Sequence, residues 1–267
     1  MGLGWKSNRS MRNHLLFLIL CLCARLNSQS YFDSASTPAD NGTNATTTVT
    51  VTPPASMFDG QLVVLIGQVL TASSSVSVSV AGGQSWFDAG LTIAGTGHTA
   101  KVFWCRFNGT WAANPQLTFG HSNATSAIMH VFTPSGTASK RTWALDQAGA
   151  TATYSAPAGP PYPINRAGQV TAHNKAVVLA MFFSIDDNTW IYNAGAYNIV
   201  GSAQYRNTAD TDMSCMFVGQ YLPFVGTDSA NGRYNQDTLG PDDGATAVLT
   251  WYDYPVGRGI PYFYLKY

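Results

Sequence analysis

Lys101-Val-Phe-Trp-Cys-Arg-Phe107 and Ser126-Ala-Ile-Met-His-Val-Phe132 are two extended, mostly apolar runs bracketing the turn-rich Asn108-Gly-Thr-Trp-Ala-Ala-Asn-Pro115. Runs of this length rich in β-branched and aromatic residues, bounded by Gly, Asn and Pro, read as strands. The same grammar returns later. Met213-Ser-Cys-Met-Phe-Val-Gly-Gln220 and Ala245-Thr-Ala-Val-Leu-Thr-Trp-Tyr252 again pair a Cys-bearing strand with a β-branched, aromatic one. These four segments set the expectation of an all-β protein.

Working outward, Thr46–Thr52 is a β-branched strand stopped by Pro53-Pro54, and Asp59-Gly60 turns the chain into Gln61-Leu-Val-Val-Leu-Ile-Gly67. That continuous apolar run predicts a central strand. Ser75-Val-Ser-Val-Ser-Val80 alternates strictly, valines to one side and serines to the other. Thr142–Asp146 and Thr151–Tyr154 are predicted as shorter strands. Ala156–Pro163 carries four prolines and cannot sustain a ladder, because proline lacks the donor N–H. On either side of it the order repeats: apolar strand, tryptophan, Cys strand, apolar strand. The expectation is a two-sheet antiparallel sandwich of jelly-roll type over residues 46–267, built from two similar halves meeting at the crossover 156–163.

Composition supports this. Charged residues make up 10% of the chain, against roughly 25% in ordinary soluble domains. Every acidic residue is Asp; the chain has no Glu, a residue on which solvated helices lean. Beyond residue 30, 14 Asp face 4 Lys and 6 Arg, a formal charge of −4. Nucleic-acid binding needs a basic face, and none is visible.

Residues 1–30 resemble a signal peptide. Lys6, Arg9 and Arg12 precede Leu15–Ala24, an apolar core short of a bilayer span, and Ser28-Gln-Ser30 offers small residues for cleavage before Tyr31. A buried helix or an over-extended start is the rival reading. Residues 31–45 are expected to be a flexible lead-in, and the mature chain is expected to lack a membrane span.

The order of motifs resembles jelly-roll sandwich proteins of bacteriophage tails or virions and of bacterial surfaces. The residues that carry the resemblance are Pro53-Pro54, Asp59-Gly60, Leu62–Ile66, Gly83-Gln-Ser-Trp86, Val102–Phe107, Ala124–Phe132, Val177–Phe183 and Ala245–Tyr252. It implies an architecture and a particle-surface or cell-surface setting, and carries no catalytic residue over.

Candidate chemistry is sparse. The Asp pairs Asp186-Asp187 and Asp242-Asp243 sit beside Asn and Gly, where turn formation accounts for them. His121 and Ser122 are adjacent, so a strand sends them to opposite faces, and no Gly-x-Ser-x-Gly elbow exists. His98, His130 and His173 lack metal-ligand spacing. The chain is therefore expected to be non-enzymatic. Thr227–Asp237 followed by Asp242-Asp243 collects oxygen ligands in one loop, making Asp237, Asp242 and Asp243 candidate Ca²⁺ ligands, with a metal-free acidic loop as the alternative. Trp86, Trp111 and Trp190 lie beside turns and are candidate glycan platforms, or else plugs for the ends of the sandwich. Cys105 and Cys215 are two buried thiols or one disulfide. A disulfide would close a loop of about 110 residues and contribute ~4 kcal/mol. The expected partners are further copies of the chain or neighbouring structural proteins, through surfaces such as the tyrosine-rich end from Tyr252; a glycan is the alternative ligand.

Overall fold

The computed structural model describes residues 31–40, 46–95, 97–155, 163–165, 170–186, 190–193, 199–207, 213–222, 224–225, 233–236 and 242–257. The leader, the stretch 156–162, Asp187, Asp237 and the terminal residues 258–267 lie outside the described residues. The described chain is all-β and antiparallel, with one short 3₁₀ turn at Ala138–Lys140. Among the described residues no helix is long and apolar enough to cross a membrane.

The first half contains β1 (Tyr31–Ala35), β2 (Ala39–Asp40), β3 (Thr48–Thr50), β4 (Leu62–Val69), β5 (Val76–Val80), β6 (Phe87–Gly95), β7 (His98–Arg106), β8 (Gln116–Phe119) and β9 (Thr125–Thr133). The second contains β10 (Arg141–Tyr154), β11 (Pro163–Asn165), β12 (Ala176–Ser184), β13 (Trp190–Asn193), β14 (Ile199–Asn207), β15 (Met213–Leu222), β16 (Arg233–Gln236) and β17 (Gly244–Pro255).

The large sheets run β1-β9-β4-β7-β6 and β10-β17-β12-β15-β14; the small ones run β3-β8-β5 and β11-β16-β13. Apart from β2, the two halves are therefore laid down in the same order. In each, the first, eighth, third, sixth and fifth strands form the large sheet, and the second, seventh and fourth form the small one.

The large sheets face each other as the sequence suggests, and a small sheet is associated with each half. Leu62, Val64, Ile66, Trp104, Leu179, Phe183, Phe217 and Trp251 fill the inner core between the large sheets. Val63, Leu65, Phe103, Phe107, Leu117 and Phe119 form an outer core under the first small sheet. Ala180, Phe182, Trp190, Met216 and Val218 form another in the second half. With cores on both sides, β4 and β12 are buried at every position. That is why they read as unbroken apolar runs rather than alternating ones. Burying each such Val, Leu or Phe contributes about 1.5–3 kcal/mol.

β6 lies beside β10 and β17, and β1 beside β14 and β15. With β4 and β12 at the middle of their sheets, the halves are related by an approximate twofold.

Three sequence expectations change. Tyr31–Ala35 and Ala39–Asp40, placed in the lead-in, pair with β9. Thr142–Asp146 and Thr151–Tyr154 are one strand, β10, with register shifts between Leu145 and Gln147 and between Gln147 and Ala150. Because β10 belongs to the second large sheet, the passage between halves is 134–140, ahead of the proline-rich stretch. The sequence misses this because a bulge breaks the alternation that marks a strand.

The passage is pinned at both ends. Ser135 Oγ donates to both Asp253 carboxylate oxygens at 2.9 and 3.0 Å, Arg141 Nε donates to the same carboxylate, and Arg141 Nη2 donates to Asp253 O at 2.9 Å. Trp143 Nε1 donates to Gly60 O across the halves at 2.9 Å. Gly60 has φ +94°, and a Cβ there would sit 2.0 Å from Ala138 O. Only glycine permits this approach.

Candidate functional site

The end of the first half where β7 leaves its sheet is built around Gly82-Gly83 and Asn108–Trp111. Gln84 is buried and organises it. Its Nε2 donates to Asn108 Oδ1 at 3.0 Å and Thr110 O at 2.7 Å, while its Oε1 accepts from Asn108 N at 3.1 Å. Asn108 Nδ2 donates to Gly83 O at 2.9 Å, and Ala112 N to Gly82 O at 2.9 Å. Two turns are thereby locked side by side, with the side-chain amides of Gln84 and Asn108 satisfied.

On this frame sit two of the tryptophans singled out from sequence. Trp86 and Trp111 stack with ring centroids 6.4 Å apart and planes 27° apart, both half-buried against the first outer core. Trp111 also stacks on buried Phe107 at 5.0 Å, and its Nε1 is buried without a hydrogen-bond partner. Gly82, at φ +64°, passes so close that a Cβ would meet Trp111 Cε3 at 2.9 Å and Ala113 O at 2.6 Å. Trp111 therefore plugs the end of the sandwich. Trp86 lies further out, its Nε1 donating to Ala81 O at 2.9 Å. Next to it in sequence Phe87, 54% exposed, stacks on Trp104 at 4.8 Å.

Trp190 is elsewhere. It is 4% exposed, tilted against Phe182 in the second outer core, and donates from Nε1 to Ser214 Oγ at 3.1 Å. Burial removes it from any surface platform.

Cys105 and Cys215 are both buried and not disulfide-bonded to each other. Cys105 joins the first outer core and Cys215 the inner core, so sheet β1-β9-β4-β7-β6 stands between their side chains. That separation rules out the pairing weighed from sequence. Burial pushes the Cys105 thiol well above the usual thiol range, keeping it protonated and unreactive.

Asp242 and Asp243 are half-buried, and Asp243 O accepts from Ile185 N at 3.2 Å. Asp237 lies outside the described residues. Among the described residues no three His, Cys or Asp side chains gather as a metal site.

Sequence reading missed one cluster. Asp146, at the first irregularity of β10, has a fully buried carboxylate. Its Oδ2 accepts from Ala172 N at 2.8 Å, and its Oδ1 from His173 N at 2.9 Å and His173 Nδ1 at 2.7 Å. The His173 ring lies flat on Tyr252, centroids 3.7 Å apart. The bulge re-aims Asp146 to hold the turn ahead of β12. Asp146 and His173 are far apart in the chain, and no local motif announces the contact.

His98 and His130 are buried where the halves meet, stacked on Phe183 at 5.8 Å and edge-on to Phe217 at 5.0 Å. Burial lowers their pKa values to about 4 and about 3, so both are neutral near pH 7.

No protein-family model, curated protein or solved structure matches this chain.

Proposed function

We propose that this chain is a non-enzymatic structural or adhesive surface protein, a virion or tail component or an exported cell-surface protein, that self-assembles. The observation that carries the reading is the repeated unit: two assemblies that, β2 apart, share one order of eight strands, joined through a continuous apolar core between their large sheets. Such a body is stiff because its long central strands are buried on both faces. We read each half as a jelly-roll variant in which the fifth strand has joined the edge of the larger sheet. The low charge and the Thr, Ser and Asn-rich composition suit packed contact with like neighbours. The setting implied is extracellular, cell-surface or virion, with further copies or neighbouring structural proteins as partners.

Mass spectrometry of the chain in particle, envelope and soluble fractions tests this. Enrichment in particles or envelopes, in many copies, is expected; recovery only as a soluble monomer overturns it.

A second reading, glycan binding, is favoured by the Trp86–Trp111 pair held beside Gln84 and Asn108. Trp86 is then the stacking platform and Trp111 its support. Trp86→Ala should abolish retention on a polysaccharide column while leaving the fold intact, and unchanged retention would remove the idea.

A further inference from the structure

We propose that copies of this chain join edge to edge through the last regular, exposed stretch of β10, Ala150–Thr153, pairing antiparallel with the same stretch of a second copy. This rests on the self-assembly reading above and names the contact that would carry it.

β10 is an edge strand of its five-stranded sheet. One side of the stretch pairs with β17 in regular register, from Ala150 opposite Val248 to Tyr154 opposite Gly244. The strand order gives the other side no neighbour among the described residues. Ala150, Thr151, Ala152 and Thr153 are all exposed, four residues in a row, so neither face of the strand is covered there. A free edge presents unpaired N–H and C=O groups to any strand of matching register.

Natural edges are blunted by charge, proline, bulges or brevity. The other edges of this molecule show those devices. β1 carries Asp33 and slips register between Phe32 and Ser34; β6 carries Asp88 and slips between Asp88 and Thr92. β14 carries Arg206 and slips between Ile199 and Gly201. In the small sheets β3 and β11 have three residues each, the latter starting with Pro163, β13 has four, and β5 slips between Val78 and Val80. β10 has its own irregularities, but both precede Ala150 and leave the following five residues regular. From Gln147 to Ser155 there is no charge and no proline.

The composition of the stretch selects the partner. With a twofold axis at Ala152, Thr151 lies opposite Thr153. Thr–Thr pairs are favourable cross-strand neighbours, and with no charge present nothing repels an identical strand. A charged partner segment would find no complementary group along this edge. Self-pairing is isologous and would join two five-stranded sheets into one continuous sheet.

The test uses the full chain in solution. Mass photometry across a concentration series should show dimers that the double variant Thr151→Lys, Thr153→Lys loses by at least tenfold in association constant. Thr92→Lys, on the guarded β6 edge, should assemble like the unmodified protein. Hydrogen exchange on the unmodified protein needs no variant: within Ala150–Thr153 alternate amides bond to β17, and the ones pointing away from β17 should exchange quickly in dilute monomer and slowly in the dimer. If the unmodified protein assembles and the double lysine variant assembles equally well, the edge is wrong while self-assembly stands. If those amides are already protected in dilute monomer, the chain covers its own edge and the proposal falls. If the unmodified protein stays monomeric, the self-assembly reading itself fails.

Discussion

Cys105 and Cys215 occupy matching strands of the two halves, yet they face different cores. In the first half Cys105 sits opposite Val63 and points outward, while Trp104 opposite Val64 points to the inner core. In the second, Cys215 sits opposite Phe183 and points inward, while Met216 opposite Phe182 points outward. A shift of one position relative to the central strand reverses the side chain's face, because the strand period is two. Matching a motif between repeats therefore does not match its surroundings. The tryptophans teach the same lesson: Trp86 stays half-exposed at the end of its half, whereas Trp190, its counterpart in motif order, is buried.

The most disruptive change should be at the core the halves share. Trp251 is fully buried between the large sheets, and Trp251→Ala should cost about 3–5 kcal/mol. Denaturant unfolding followed by probes in each half should show both transitions moving together. Phe119→Ala, in the first outer core, should cost a comparable ~3–5 kcal/mol while leaving β12–β15 exchange less affected.

The buried histidines sharpen the contrast between the faces of the inner core, histidine from the first half against phenylalanine from the second. Above pH 6.5 both are neutral, folded or unfolded, and impose no penalty. As the pH drops, the unfolded chain takes up protons that the folded chain refuses. Stability should therefore fall from pH 6.5 until His98 titrates at about 4 and His130 at about 3. The His98 shift alone corresponds to ~3 kcal/mol. Urea midpoints measured from pH 7 to 4 should fall less steeply in a His98→Leu, His130→Leu variant; an unchanged slope would contradict the assignment.

A smaller effect is expected at the tryptophan end. Gly82→Ala forces a left-handed backbone on alanine and drives Cβ into Ala113 O, which should cost about 1–3 kcal/mol. Trp111 fluorescence should shift as the ring is displaced. Smallest of all, blocking exposed thiols should leave both cysteines of the sandwich unlabelled in the native state, and unfolding should release both without reductant.

The all-β class and the facing large sheets were legible because apolar runs such as Leu62–Ile66 and Val177–Phe183 have no other good reading. That Trp111 lies at a turn was legible from its place beside a glycine and a proline, but the sequence left open whether it plugs the sandwich or faces a ligand. The small sheets' separate cores were harder to see, since strands as short as Thr48–Thr50 carry little periodicity. The boundary between halves was misplaced because prolines at 156–163 outweighed an interrupted strand. Asp146 with His173 depends on tertiary contact alone.

Sedimentation velocity of the purified chain over a wide concentration range tests the central claim, assembly of a stiff doubled sandwich, most directly. Self-assembly predicts a boundary that moves to larger species as concentration rises. A single boundary at the monomer mass at every concentration would contradict it.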